Sequence, residues 1–444
     1  MADVSSPAVE RRRRSQRTPR EWDRIVWWAI VLGACLRAVW ILAVHPPVRF
    51  VYSDMLGYVE RAARLASGAP LAPIDAFFPP GTHLLLSIPI ALCGLVTGLW
   101  VATLLWCLLS IATVYVSWRL ARILLTPAAA ALTAAFCAVW PLFITYGGYF
   151  TSETPALAFL VTALWAGVEA TRRDGRAALV LALAGGILGG AAAATRPQLL
   201  INALILLTVA LFSRKASAAS AAGLASGLLL VLALVVALNS AASGHLVGLA
   251  RNGGVNFWLG HCDVKTVNTV NADNVLTYSI THPVASQLGR TGVIVVKNHD
   301  VWDEGLFVGL GLRCIEEDGV GHIARLGQNI LDMTATTTPW PQSAADGWPR
   351  TVVQAANLAY AVLLPFILVG SLLLLVRRRR EGWNSGEAFF LVNLVCVVVV
   401  AVLAIGDPRV RTVYDVFGFA LLGALLADRL HLDRLPDEEA LEDR

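Results

Sequence analysis

Five charged side chains sit at the edges of apolar runs: Asp54, Glu153, Arg196, Arg409 and Arg411. Asp54 lies between Tyr52 and Tyr58 in Val51-Tyr52-Ser53-Asp54-Met55-Leu56-Gly57-Tyr58. Glu153 follows Tyr149-Phe150-Thr151-Ser152, and Arg196 sits in the polar break Thr195-Arg196-Pro197. Arg409 and Arg411 end the run Gly406-Asp407-Pro408-Arg409-Val410-Arg411. Taken singly, each has an ordinary structural reading. An acid in a first helical turn complements the helix dipole, and interfacial arginines anchor membrane helices. Taken together they describe chemistry. An arginine at a bilayer surface suits the phosphate of a membrane lipid. An acid beside it can take a proton from an incoming hydroxyl. The set would serve displacement at a sugar carbon, with a lipid phosphate leaving and arginines stabilising its growing charge.

Such residues need a scaffold, and composition says which kind. The chain has 444 residues, 57% hydrophobic and 15% charged, with mean hydropathy +0.64. A soluble chain of this length carries more charge, so this is a polytopic membrane protein. Apolar runs predict ten spanning helices at 25–44, 99–121, 127–146, 154–169, 177–194, 198–212, 216–238, 351–376, 387–405 and 412–428. The apolar stretch 84–96 is too short to span and contains Pro89 and Gly94, so it is expected to lie at the membrane surface. That choice puts Arg119, Arg122, Arg172, Arg173, Arg176, Arg214, Lys215 and Arg377 to Arg380 on the side of the basic N-terminal tail. Counting 84–96 as a span would move every later cluster across. The positive-inside rule therefore sets both termini in the cytoplasm. The basic tail is read as a topology signal and not as a nucleic-acid arm.

The expected fold is an all-α polytopic membrane protein with about ten transmembrane helices, interfacial helices in the first outer loop and one larger outer loop. Its parts are a cytoplasmic tail at 1–24, a transmembrane core at 25–238 with an outer loop at 45–98, an outer loop or subdomain at 239–350, transmembrane helices at 351–428 and a second tail at 429–444. All five charged candidates then fall on the extracytoplasmic face. The cytoplasmic connections are short and basic, and no glycine-rich phosphate loop is present.

From Ser53, apolar residues recur at Met55, Tyr58, Val59, Ala62 and Ala66, with Glu60, Arg61 and Arg64 opposite. That pattern is an amphipathic helix on the membrane surface, with Ser53 as N-cap and Asp54 in the first turn. A stiff aromatic turn, Phe77-Phe78-Pro79-Pro80-Gly81-Thr82-His83, follows. The large outer loop opens with Asn252-Gly253-Gly254-Val255-Asn256-Phe257-Trp258-Leu259-Gly260-His261, where amides and aromatic faces suit sugar hydroxyls and rings. Tyr52, Tyr58, His83, Asn256 and Trp258 are the candidate substrate contacts. Cys262 and Cys314 fall in that loop, and spacing alone does not decide whether they pair. Arg37, inside the first span, needs a partner: either an acid of the site or a structural one.

These motifs, in order, resemble those of the GT-C superfamily of polytopic glycosyltransferases, in the branch of protein O-mannosyltransferases and lipid A aminoarabinose transferases. The resemblance is carried by Ser53-Asp54 with Tyr58, Phe78-Pro79-Pro80-Gly81, the run Tyr149 to Pro155, Thr195-Arg196-Pro197, Asn252 to Gly260, and Gly406 to Arg411. It implies a polyprenyl-phosphate sugar donor and an inverting transfer to an acceptor hydroxyl of a lipid, glycan or protein, outside a bacterial inner membrane. By resemblance Asp54 and Glu153 match the catalytic acids, and Arg196 and Arg409 the arginines near the donor phosphate. Two departures stand out: Met55 follows Asp54 where protein mannosyltransferases carry a second acid, and Val410 follows Arg409 where an aromatic is usual. Members differ in whether a divalent metal ion sits at the acids, and the sequence leaves that open for Asp54 and Glu153. It also leaves open the sugar and the acceptor. The rival reading is a transporter or flippase of lipid-linked glycans, whose ionisable residues would lie near the bilayer midplane.

Overall fold

The computed structural model describes residues 19–213, 216–262, 265–270, 276–281, 293–296, 304–336, 347–378 and 385–432. The basic residues Arg11 to Arg17, Arg214 and Lys215, much of the loop 263–303 and the end of the second tail lie outside the described residues. The helices, in order, are α1 (Pro19–Ala38, continued by a π-helical Val39–Val44), α2 (Asp54–Ala66), α3 (Gly81–Cys93), α4 (Leu95–Leu124), α5 (Pro127–Val139), α6 (Pro141–Thr145), α7 (Glu153–Ala170), α8 (Gly175–Thr195), α9 (Leu200–Phe212), α10 (Ala218–Ser243), α11 (Gly253–His261), α12 (Glu304–Asp318), α13 (Gly321–Asp332), α14 (Gly347–Arg378), α15 (Ser385–Leu403), α16 (Pro408–Thr412) and α17 (Asp415–Arg429). The polytopic helical architecture is as expected. The 239–350 loop adds three short antiparallel strands, β1 (Lys265–Val270), β2 (Leu276–Thr281) and β3 (Val293–Val296), in the order β1-β2-β3. Their sequences are rich in Thr, Val and Ile, which suit a pleated strand.

Among the described residues six helices are long and apolar enough to cross a membrane, or seven if the bent pair of α5 and the helical run from Pro141 is one span. The other expected spans correspond to α7, α9 and α17, of 18, 13 and 15 residues. The last two fall short of the ~17–25 residues of a span, and α7, though long enough, is not apolar enough to count with the six, so length and composition support fewer crossings than the ten expected. The stretch expected at the surface is α3, 13 residues long. Gly94, at φ +77°, ends it and turns the chain into α4; glycine adopts that backbone without a Cβ penalty.

The first span shows how a proline sets a packing need. Pro141 lacks an N–H, so it cannot bond the carbonyl of Cys137. The 53° bend between α5 and the helical run from Pro141 takes the Ala138 carbonyl out of line too. Arg37 answers both: Nη2 donates to the Cys137 carbonyl at 2.8 Å and Nη1 to the Ala138 carbonyl at 2.7 Å. Its Nε donates to Ser110 Oγ at 3.0 Å. Of the two readings left open for Arg37, the structural one holds. Earlier in α1, Trp22, Val26 and Ile30 bury one stripe of the helix at the four-residue spacing of a helix face.

Helices α8 and α10 meet at Gly186 and Gly227, where a Cβ on either would overlap the other helix at Leu224 or Leu183. Small residues permit this approach, which drives helix association in lipid. The close packing fixes the end of α8, and with it Arg196. In the same 239–350 loop, Cys262 and Cys314 form a disulfide, with Cα atoms 5.5 Å apart across 52 residues. It joins α11 to α12, and Trp258, Phe307, Leu310 and Phe77 pack around it.

Candidate active site

Each of the charged candidates stands at or near a helix end. Asp54 opens α2. Ser53 takes the N-cap position without a side-chain cap bond, at φ +50°, a conformation that costs a non-glycine residue about 1–3 kcal/mol. Met55, Tyr58, Val59 and Ala62 are buried along α2 as the pattern predicts. Arg61, expected on the polar face, is also buried. Its Nη1 donates to the Gly57 carbonyl and its Nε to the Ile74 carbonyl, each at 2.8 Å. The guanidinium lies 5.0 Å from the ring centroid of Phe78, a cation–π contact that pins the aromatic turn against α2.

Glu153 opens α7 just ahead of the expected span 154–169, and its side chain is 2% exposed. Arg196 caps the end of α8 and places Nη1 2.8 Å from Glu153 Oε1. Arg409 stands in the short α16, whose N-cap is Asp407; Asp407 Oδ1 accepts from the Arg409 backbone N–H at 2.6 Å. Arg409 Nε donates to the same Glu153 oxygen. Its Nη1 lies 3.2 Å from Asp54 Oδ2. One guanidinium thus links two carboxylates from distant loops, and one carboxylate holds two guanidinia.

The electrostatics follow from that arrangement. Burial alone would raise the Glu153 carboxyl, but Arg409 and Arg196 outweigh it and hold it at about 2. Burial opposes the Arg409 charge, yet Glu153 and Asp54 raise its pKa well above the ordinary value. Tyr58 is raised by burial and by Asp54, so its hydroxyl stays protonated. Asp54 is the accessible acid, with its side chain 32% exposed against 2% for Glu153.

A cavity of about 590 Å³ opens over this cluster. Asp54, Tyr58, Arg196, Arg409, Asn256 and Trp258 all line it, so the geometry brings six of the ten candidates to one space. The other four do not line it. Glu153 sits behind the arginines. Tyr52 packs beside the cluster of Met55 and Tyr58. His83 is buried, and burial together with Arg61 lowers its pKa to about 3, leaving it neutral. Arg411 is the clearest correction. It is fully buried, donating from Nε to Asp415 Oδ1 at 2.9 Å, from Nη2 to Asn357 Oδ1 at 2.8 Å and from Nη1 to the Met333 carbonyl at 3.0 Å. Two residues along a helix rotate a side chain about 200°, so Arg409 and Arg411 leave α16 on opposite sides.

Asp407, Phe77, Phe78 and Asn252 also line the cavity. Asp407 had a readable signal: Asp before Pro is a helix N-cap followed by a first-turn proline. Burial raises its pKa, against the pull of the Arg409 backbone N–H and guanidinium. A resident divalent metal does not fit Asp54 and Glu153, because the Arg409 guanidinium fills the space between them. Among the described residues no cluster of three or more His, Cys, Asp or Glu forms a metal site.

Two acids and two arginines from four separate loops thus meet beside one lined cavity in a polytopic helical body. The model of the dolichyl-phosphate-mannose-protein mannosyltransferase family matches residues 78–239, just over a third of the chain. The matched stretch contains Phe78-Pro79-Pro80-Gly81, Glu153 and Arg196, and it bears out the GT-C resemblance. No curated protein matches the chain. Among solved structures, the chain resembles the Archaeoglobus fulgidus oligosaccharyltransferase tethered with an acceptor peptide, at 15% identity and TM-score 0.48, covering 92% of this chain and 50% of that one. It also resembles ArnT from Cupriavidus metallidurans bound to undecaprenyl phosphate, at 15% identity and TM-score 0.37, covering 90% of this chain and 78% of that one. The chain spans about half the length of the oligosaccharyltransferase it resembles.

Proposed function

We propose that this protein is a glycosyltransferase that moves a hexose or pentose from a polyprenyl-phosphate donor to an acceptor hydroxyl, with inversion, on the extracytoplasmic face of a bacterial inner membrane. The observation that carries the reading is the Arg409 bridge between Asp54 and Glu153, with Arg196 on the same Glu153 oxygen and a cavity above. The family match over 78–239 supports it.

In this reading the donor phosphate lies against Arg196 and Arg409. A guanidinium has five N–H donors, so one that holds carboxylates can hold a phosphate as well. Asp54 faces the cavity and takes the proton of the acceptor hydroxyl as its oxygen attacks the sugar carbon. The bond from that carbon to the phosphate oxygen breaks, and the lipid phosphate leaves carrying the electron pair. The arginines stabilise its charge in a site where water is partly excluded, which makes their contribution larger than in bulk water. Glu153 is buried, strongly ionised and doubly paired. It positions both arginines and does not exchange protons. Asn256 supplies an amide to the sugar, and Trp258, 1% exposed against Phe307, stiffens the wall behind it.

The topology belongs to the same proposal: both termini cytoplasmic, and α2, α3 and the 239–350 loop outside. A disulfide between Cys262 and Cys314 agrees with an oxidising compartment. The test is purified protein in vesicles with radiolabelled polyprenyl-phosphate mannose and an acceptor mixture of glycans, lipids and peptides. Release of polyprenyl phosphate coupled to acceptor labelling supports the reading. Movement of label across the bilayer without transfer would replace it with a flippase.

A further inference from the structure

A second cavity, of about 580 Å³, adjoins the first. It lies between α13 and the α15–α16 turn, and its polar walls are Asp318, Arg325, Gln328, Asn329 and Asp332. Leu259 and Ile405 line both cavities, so a molecule lying in the second reaches the space beside Asp54 across those two side chains. We propose that this groove is the acceptor subsite, and that the acceptor it takes is a neutral glycan. The proposal rests on the glycosyl-transfer reading and goes beyond it in naming the acceptor class.

Three observations favour a glycan. First, the walls carry paired donors and acceptors. Gln328 Nε2 donates to Asp332 Oδ1 at 2.7 Å, and Arg325 Nε lies 3.5 Å from Asp318 Oδ2. Each pair presents an N–H beside a carboxylate oxygen. Sugar hydroxyls, each both donor and acceptor, complement such pairs. Second, the floor is fixed. Asn329 is 7% exposed and donates from Nδ2 to the Gly260 carbonyl at 2.9 Å. Gly260 packs against the Ala404 carbonyl and Gly406 against the Asn329 carbonyl, each closely enough that a Cβ would overlap the other backbone, so the polar walls stand on a rigid base. Third, two aspartates and one arginine leave the groove with a negative balance, opposite to the Arg196 and Arg409 side. It repels a lipid phosphate and separates the donor end from the acceptor end. The apolar side chains in the groove, Leu259, Ala324 and Ile405, form no set of pockets for an extended peptide, which binds through alternate side-chain pockets.

The experiment uses the full-length protein in nanodiscs with radiolabelled polyprenyl-phosphate mannose and two acceptor probes, a synthetic mannotriose and a serine- and threonine-rich peptide. It measures acceptor KM, kcat and acceptor-independent release of polyprenyl phosphate. Two variants are compared with wild type: Asp332→Ala, which removes half of a polar pair, and Ala324→Trp, which fills the groove. The expected result is transfer to mannotriose with acceptor KM raised about tenfold in Asp332→Ala, the effect of losing one hydrogen bond to a charged group. Ala324→Trp raises it further. Acceptor-independent release stays at the wild-type rate in both, which shows that the catalytic cavity is intact. Unchanged mannotriose KM in both variants, or labelling of the peptide in place of the glycan, overturns the acceptor proposal while leaving the donor reading standing. Absence of polyprenyl phosphate release by wild type overturns the donor reading and this proposal with it.

Discussion

Arg409 Nη1 stands 3.2 Å from Asp54 Oδ2, a contact across 355 residues of chain. Neither residue is held in place by its own helix alone. Asp54 opens α2 behind a strained Ser53, and α16 is five residues long. What fixes them is Glu153, buried beneath, hydrogen-bonded to Arg409 and ion-paired with Arg196. The site is assembled by packing between loops, and its ion pairs are the joints.

Arg409→Lys removes that joint while keeping the charge. A lysine ammonium is a point charge on a flexible stem and cannot present a planar fork to two carboxylates. We expect kcat to fall by about 10²–10³, the loss typical of removing a positioned donor to developing charge. Steady-state transfer assays check this; activity within twofold of wild type would mean that the fork geometry is unimportant.

Glu153 makes stability depend on acid in a defined direction. Its carboxyl is lowered from the ordinary 4.5 to about 2 in the folded protein. A lowered carboxylate contributes stability above its unfolded pKa and loses it as pH falls through the folded one. The melting-temperature gap between wild type and Glu153→Gln should therefore hold steady at neutral pH, begin to narrow below 4.5 and close towards 2. Melts of the two proteins in detergent across that range measure it. A gap that widens with acid contradicts the assignment.

Arg411 should behave as a structural residue. Arg411→Ala leaves Asp415 buried without its cation, a change that typically costs about 3–5 kcal/mol. The expected outcome is a lower melting temperature with donor KM unchanged in the folded fraction. Replacing both partners, Arg411→Met with Asp415→Leu, should recover much of the loss, because two apolar side chains leave no orphaned charge. A raised donor KM in the double variant would return Arg411 to the phosphate site.

Much of the site was legible because charge at the edge of an apolar run is costly and conspicuous. Asp54, Arg196 and Arg409 were found in that way and share one cavity; Asn256 and Trp258 followed from an amide–aromatic pattern. Rotation was not legible: Arg411, two residues from Arg409, faces the core, because the start of α16 is not marked by any apolar repeat. By its spacing Arg61 belongs on the wetted face of α2, yet it turns inward to the Ile74 carbonyl and Phe78, partners that only the folded loop supplies. Arg37 had two readings until the Pro141 break exposed the carbonyls it serves. The helices α9 and α17 read as spans from apolarity, but have only 13 and 15 residues; α17 is apolar because it is buried among its neighbours, whereas α9 leaves Leu204, Leu211 and Phe212 exposed. The Cys262–Cys314 bond is a spatial fact, invisible in spacing.

The central claim is that Asp54 handles the acceptor proton, and Asp54→Asn tests it most directly. The substitution keeps shape and an oxygen facing Arg409 but removes the base. Acceptor labelling from radiolabelled polyprenyl-phosphate mannose and equilibrium binding of the same donor should be measured side by side. The account predicts that transfer drops by about 10²–10⁴, the usual contribution of a general base, while donor binding persists. Transfer at the wild-type rate, or donor binding lost along with transfer, would contradict it.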